Sequence, residues 1–415
     1  MPPPSRFSLE EEVGQCLLGG FEGKGPSRSL LERIRAGRLG GVILFSRNLE
    51  SAEQLLSLTL TLQEAAAGSR PTGARRPLPL LVAIDEEGGA VSRLSAEFTH
   101  FPPAALFGRA GEAAFARQAA AATARELRAA GVNVNLAPVL DLATNPACTV
   151  IGERSYGADP GAVARLGVAA VAGLQAGGVA SVVKHFPGHG EAEVDPHRAL
   201  PRVGTPARLL RERELLPFRE ALDPRLPAGG AAGVMVAHAV YEDLDSGRPA
   251  SLSAAIIGDW LRQELGFRGL VVTDDLEMGA IADAAEGARL ALTAGADVAL
   301  LSASEEKQEA AFETLLAAAR SGELPAARLD RAARKVAALK ARYCEPLERA
   351  LATREEKRAA LAKVVGCGEH RSLREAVLRA AGGHAAPGGG PQAAGRLGTP
   401  GREPAPPGSP GQPGL

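Results

Sequence analysis

Residues Ser181 to Leu200 read SVVKHFPGHGEAEVDPHRAL. The stretch starts inside a short apolar run, Val179–Lys184. It then passes into a loop holding three of the protein's seven histidines, His185, His189 and His197. Pro187 and Gly188 forbid a helix through the middle. An apolar strand that empties into a polar loop is the unit from which the rest of the chain is built.

Seven further runs have the same character: Cys16–Phe21, Gly41–Phe45, Leu78–Ile84, Val132–Pro138, Gly233–Ala237, Leu270–Thr273 and Asp297–Leu301. They are continuous rather than alternating, as parallel strands covered on both faces require. Stretches of helical period separate them: Ser51–Ala66, Gly111–Ala130, Pro160–Ala176, Pro206–Leu222, Ser253–Gln263 and Met278–Ala294. Two more, Glu305–Ser321 and Pro325–Arg342, follow the last strand. Several open with capping chemistry, as in SLSAAI from Ser251 and ADPGAV from Ala158. Eight strands alternating with helices over about 340 residues predict an α/β fold, a (β/α)8 TIM-type barrel. A doubly wound sheet is the alternative. It would carry a glycine-rich phosphate loop after its first strand, and LGGFEGKG there has neither GxGxxG nor GxxxxGK[ST] spacing.

The expected organisation is a barrel domain over 1–345, a short helical appendage over 346–382, and a tail over 383–415. From Gly383 onward Gly and Pro supply 18 of 33 residues without a collagen triplet. Such a segment has no apolar surface to bury and is expected to be disordered.

Composition excludes several function classes. With 415 residues, 45% hydrophobic and 23% charged, the chain can bury a large core. A net charge of −1 gives no electrostatic case for nucleic acid or an anionic membrane. Cys16, Cys148, Cys344 and Cys367 form no CxxC pair, so free thiols are expected. The N-terminus MPPPSRFSLEEEVGQCLLGG lacks signal-peptide features, and no run reaches the roughly 18 apolar residues of a spanning helix. A cytoplasmic monomer is expected.

Barrel chemistry sits where strands end. The third run ends in Asp85-Glu86-Glu87-Gly88-Gly89 with Arg93 beyond. The fourth leads to Asp141 and a loop carrying Arg154. The fifth ends at Lys184-His185, the sixth at His238, the seventh at Asp274-Asp275. Each alone reads as a helix cap or rim ion pair. Together they indicate a polar pocket for a hydroxyl-rich ligand. His185 and His189 lack the helix and glutamate of HExxH, no calcium loop is present, and no GxSxG elbow offers a serine. Cys148 reads as a packed thiol. Asp274, directly after LVVT, is placed to serve as a nucleophile, while Asp275 reads as a helix cap. Asp195 beside His197 reads as an acid–base pair whose carboxylate raises the imidazole's pKa. His189 is expected to brace the Pro187–Gly188 turn.

KHFPGHG followed by DPH, with DEEGG, NLAPVLD, GERSYG and TDDLEMGA, resembles glycoside hydrolase family 3. Within it the chain is most similar to the bacterial β-N-acetylglucosaminidases that act on muropeptides in peptidoglycan recycling. The resemblance runs from about Leu9 to Tyr343, in order. It implies Asp274 as nucleophile of a retaining double displacement, His197 as acid/base and Asp195 as its partner. It implies that Asp85, Arg93, Arg154, Lys184 and His185 hold an N-acetylglucosaminyl unit, with no metal or organic cofactor. Muropeptides and chitooligosaccharides are both candidate substrates. The sequence departs from the family at Pro196, where Ser is common, at Glu86, where Gln is common, and at Ala90, where Arg is common. GCGEHRSLREAVLRAA, Gly366 to Ala381, resembles the junction into the second domain of longer members. A β-glucosidase, another β-glycosidase or a phosphorylase of the same family is the alternative, as are a silent sugar-binding barrel and a metal-dependent hydrolase.

Overall fold

The computed structural model describes residues 7–69, 77–148, 150–192, 200–347, 349 and 354–382. Asp195, Pro196 and His197 lie outside these residues, as does the tail expected to be disordered. Eight parallel strands close into a barrel: β1 (Leu17–Gly19), β2 (Gly41–Leu44), β3 (Leu81–Ile84), β4 (Val134–Asn135), β5 (Ala180–Phe186), β7 (Gly233–Val236), β10 (Leu270–Asp275) and β11 (Val298–Leu301). The order around the barrel is β1-β11-β10-β7-β5-β4-β3-β2. The (β/α)8 expectation therefore holds, strand by strand. A small side sheet joins β6 (Arg202–Val203), β8 (Val240–Tyr241) and β9 (Asp245–Pro249).

The strands are apolar on both faces because both faces are covered. Leu81 and Ala83 of β3 join the interior cluster with Leu18, Ile43, Val182 and Leu300, while Val82 and Ile84 pack under the outer helices. The helix Ala326–Tyr343 contributes Val336, Leu339 and Tyr343 to that interior cluster. Its last residues lie against Gln15, before β1, and Leu80, before β3, so it plugs the end where the strands begin. The opposite end stays open for chemistry.

Helix starts follow the local chemistry. Ser51 caps Ala52–Ala67 and Asp159 caps Pro160–Ala176, each accepting from a backbone N–H of the first turn. Two starts differ from expectation. The residue preceding Ala255–Glu264 is Ala254, and Ser253 Oγ accepts from Ile256 N at 3.3 Å; Ser251 instead meets His238. The helix expected from Met278 begins at Ala284, capped by Asp283. Beyond residue 353, helices Arg354–Val364 and Gly368–Ala380 pack against the barrel helix Ala113–Ala129.

Candidate active site

At the open end, β5 and β10 both lose regular register in their last residues, between Val183 and Phe186 and between Val272 and Asp275. Such irregularities re-aim side chains at a barrel rim. They coincide here with Lys184-His185 and Asp274. The peptides Lys184–His185 and Phe186–Pro187 are cis.

Lys184 is the hub. Its Nζ lies 2.6 Å from Asp85 Oδ1 and 2.5 Å from Glu87 Oε1, with the side chain only 3% exposed. Glu87 in turn takes a two-pronged contact from Arg154, Nε to Oε2 at 2.8 Å and Nη2 to Oε1 at 2.9 Å. A planar fork on a carboxylate fixes orientation as well as charge. Burial alone would raise the Glu87 carboxyl, but Lys184 and Arg154 overrule it and hold it well below the usual carboxylate range. Burial likewise works against the Lys184 charge, and Asp85 and Glu87 reverse the balance, so its pKa rises. Two cations and two carboxylates thus form one chain of contacts, from buried Lys184 out to half-buried Arg154, across the end of β3, β5 and the loop after β4.

A second carboxylate shapes the histidine loop. Asp141 is fully buried. Its Oδ2 accepts from His185 N at 3.1 Å and pairs with His185 Nδ1 at 2.6 Å, and its Oδ1 accepts from His189 N at 2.6 Å. Burial pushes Asp141 up, yet His185 and the backbone donor of His189 hold it below the ordinary value. An ionised carboxylate only accepts, so His185 Nδ1 donates to it and Nε2 is the ring nitrogen not engaged by Asp141. Gly188, at φ 129°, makes the turn, and its carbonyl accepts from the buried Tyr241 hydroxyl at 2.7 Å.

The expectation that His189 braces this turn is corrected. Its backbone N–H does the holding, while both ring nitrogens are buried without a partner. Burial, with His185 5.9 Å away ring to ring, lowers its pKa to about 4, so it is neutral.

Asp274 stands at the end of β10, partly exposed, with Asp275 N donating to its Oδ1 at 2.9 Å. Burial opposes its charge, but His185, His238 and Lys184 hold its pKa below the ordinary value. His238, at the end of β7, bonds through Nδ1 to Ser251 Oγ at 2.7 Å and leaves Nε2 buried and unpaired. Its pKa is lowered, chiefly by burial. Asp275 does not cap a helix. It accepts from Ser302 N at 3.1 Å, from the Ser302 hydroxyl and from Glu277 N at 3.1 Å, which ties β10 to β11.

Arg93 completes the rim. Its guanidinium carbon lies 5.6 Å from the Phe45 ring centre, and its Nε is buried without a partner. Of the residues singled out from sequence, Asp85, Arg154, Lys184, His185 and Asp274 therefore share one electrostatic neighbourhood, and Arg93 flanks it. Glu87, Asp141 and His238 carry as much of the geometry. The strand-end pattern pointed at all three; among Asp85-Glu86-Glu87 the family resemblance favoured Asp85 alone, whereas the structure turns Glu87 onto Lys184 as well. Glu86 turns the other way. Its carboxylate accepts from Ser92 Oγ at 2.9 Å and Arg93 N at 3.0 Å, and burial raises its pKa to about 7. Among the described residues, no cluster of three or more histidine, cysteine or acidic side chains is arranged to hold a metal ion. Nor is any helix there long and apolar enough to cross a membrane.

An aspartate held in its charged form at a strand end thus shares the mouth of a (β/α)8 barrel with a lysine–histidine pair. Residues 8–339 match the glycosyl hydrolase family 3 N-terminal domain, and the chain belongs to that family. It is 41% identical over 294 residues to a beta-hexosaminidase of Alkalilimnicola ehrlichii, covering 69% of this chain and 80% of that one. A Beta-hexosaminidase A of Pseudoalteromonas piscicida is 38% identical over 291 residues; the match covers 66% of this chain but only 47% of that relative. Among solved structures, a family 3 beta-N-acetylglucosaminidase from Paenibacillus superposes with a TM-score of 0.80 at 40% identity, covering 90% of this chain and 69% of that one. NagZ from Neisseria gonorrhoeae, solved with N-trifluoroacetyl-D-glucosamine, gives 0.67 at 30% identity over 90% of this chain and 100% of that one.

Proposed function

We propose that the protein is a retaining exo-β-N-acetylglucosaminidase that removes terminal β-linked N-acetylglucosamine from muropeptides or chitooligosaccharides. The observation that carries this reading is Asp274, an ionised carboxylate on a rigid strand end beside Lys184 and His185. The beta-hexosaminidase names of the relatives support the sugar.

In this reading Asp274 attacks the anomeric carbon, the glycosidic bond breaks, and His197 gives its proton to the departing oxygen. A water then loses a proton to His197 and attacks the same carbon, releasing Asp274 and the sugar with its configuration retained. Asp195 orients His197. Asp85, Arg93, Arg154, Lys184 and His185 grip the sugar hydroxyls, with His185 Nε2 the ring nitrogen available to them because Nδ1 is committed to Asp141. Glu87 belongs with them as the carboxylate that holds Lys184 and Arg154 in place. A cytoplasmic role in peptidoglycan recycling fits a muropeptide substrate.

The test is a panel of p-nitrophenyl glycosides. Release from the β-N-acetylglucosaminide should exceed release from the β-glucoside. Asp274→Ala should lower kcat by at least about 1,000-fold with the circular dichroism spectrum unchanged. Substantial residual turnover in that variant would overturn the nucleophile assignment, and preference for the glucoside would overturn the substrate.

A further inference from the structure

The loop between β3 and the helix Ala104–Ala110 carries Asp85, Glu86, Glu87 and Arg93, and it is pinned at two points. The near pin is Glu86, which accepts from Ser92 Oγ and Arg93 N while its backbone exchanges hydrogen bonds with Asn135 at 3.0 and 2.8 Å. The far pin is Glu126, on the helix Ala113–Ala129 and 1% exposed.

The four donors on Glu126 divide evenly. Two come from the loop, Thr99 N at 2.9 Å and Thr99 Oγ1 at 2.7 Å. Two come from the C-terminal helical pair, Gly366 N at 3.1 Å and His370 Nδ1 at 2.6 Å. Three of them meet Oε1 and Thr99 N meets Oε2, so both carboxylate oxygens are engaged. Burial raises the Glu126 pKa, and His370 with the other donors outweighs it. Gly366, at φ 57°, also abuts the loop directly, since a Cβ there would collide with the Glu97 carbonyl. From Thr99 the connection continues through the next residue. His100 Nδ1 meets Ser92 Oγ at 3.0 Å, the same hydroxyl that donates to Glu86. His370 is thus joined through Glu126, Thr99 and His100 to Ser92 and Glu86, beside Asp85 and Arg93.

We propose that His370 is a positioning residue: through Glu126 it makes the C-terminal helical pair hold the sugar-binding loop in its gripping conformation, so that the pair sets substrate affinity. Nothing in the barrel's own topology requires these helices. What they add is the second half of the coordination of a carboxylate whose first half holds the loop. The inference rests on the reading above that Asp85 and Arg93 bind sugar.

The test uses the full chain with His370→Ala and His370→Asn, whose amide places a donor near the Nδ1 position. Two readouts are needed, steady-state kinetics on the p-nitrophenyl β-N-acetylglucosaminide and amide hydrogen exchange across residues 88–101. His370→Ala should raise KM about five-fold, leave kcat within about two-fold, and speed exchange in that segment. His370→Asn should return both to near the parent values. An unchanged KM with unchanged exchange overturns the proposal. So does a fall in thermal midpoint with KM unmoved, or a loss of kcat alone. If the parent protein cleaves no aryl glycoside, the functional reading fails, and loop exchange by itself still decides whether His370 holds the loop.

Discussion

The two ends of the barrel both bury charge, and they do so differently. Where the strands begin, Asp297 is fully buried among three cations: Arg262 at 2.6 Å, Lys335 at 3.2 Å and Arg328 at 3.3 Å. Its Oδ2 also accepts from Val271 N at 3.0 Å. Lys340, lowered to about 8 mainly by burial, donates to Gln15 at 2.6 Å. Apart from the Tyr343 hydroxyl, the polar groups named at that end find partners within the protein. Where the strands stop, charge is just as dense, but Arg93 Nε, both nitrogens of His189 and His238 Nε2 are buried without one. Buried unpaired polar atoms cost about 1–3 kcal/mol each. Charge density is alike at the two ends; what sets the strand-end side apart is that its buried arginine and histidines keep ring and guanidinium nitrogens unmatched within the protein.

That contrast predicts opposite failures at the two ends. The largest effect is expected at Asp297. Replacing it with Ala strands three cations and should cost about 3–5 kcal/mol of stability by urea denaturation. kcat/KM below the melting transition should stay within about two-fold. A large catalytic loss from this variant would break the separation between the ends. Next comes Lys184→Ala. It removes the hub between Asp85 and Glu87 and should cut kcat/KM on the aryl β-N-acetylglucosaminide by about 100-fold, equivalent to about 2.7 kcal/mol. Retention of most activity would remove Lys184 from the sugar grip.

Glu86 is the intermediate case, satisfied by hydrogen bonds but without a direct cation. Burial raises its pKa from the ordinary 4.5 to about 7. Between those values the folded protein keeps a proton that the unfolded chain has lost. Its contribution is fully present below pH 4.5, is lost as pH rises toward 7, and stays lost above. Glu86→Gln keeps an acceptor for Ser92 and Arg93 N without the charge. It should therefore be more stable than the parent by about 1–2 kcal/mol at pH 8 and nearly equal to it at pH 4.5, judged by thermal melts at the two values. Equal stability at both pH values would mean that Glu86 is ionised in the fold at no cost. The family departure at this position, Glu for Gln, is then a chemically close exchange whenever the acid is protonated.

Much of the fold was legible because barrel strands announce themselves. All eight apolar runs hold a strand, and the helix Glu305–Ser321 matches its expected limits. Boundaries slipped where a tertiary contact overrode a local signal. Ser251 would suit a cap, but His238 takes its hydroxyl. Asp275 would suit one too, but the end of β11 takes its carboxylate. For the site, the sequence pointed to strand ends whose charges the structure brings together, and of the three adjacent acids only Asp85 was favoured, by the family resemblance. Asp85, Glu86 and Glu87 are adjacent and chemically alike, yet one shares Lys184, one braces a loop, and one locks Arg154.

The sequence by itself determined the alternation of strand and helix, the family, and the set of strand ends at which charged residues gather. Period and motif are properties of neighbouring residues and survive without a third dimension. Only the tertiary structure decided which charges meet. Lys184 reaches Asp85 across ninety-nine positions of chain, Asp141 folds His185 and His189 around itself, and Glu126 joins the loop at Thr99 to a helix beginning at Gly368. These pairings depend on how the barrel closes and on burial, which strengthens each charge contact and penalises each unmet donor. Neither quantity is written in any short stretch of the chain.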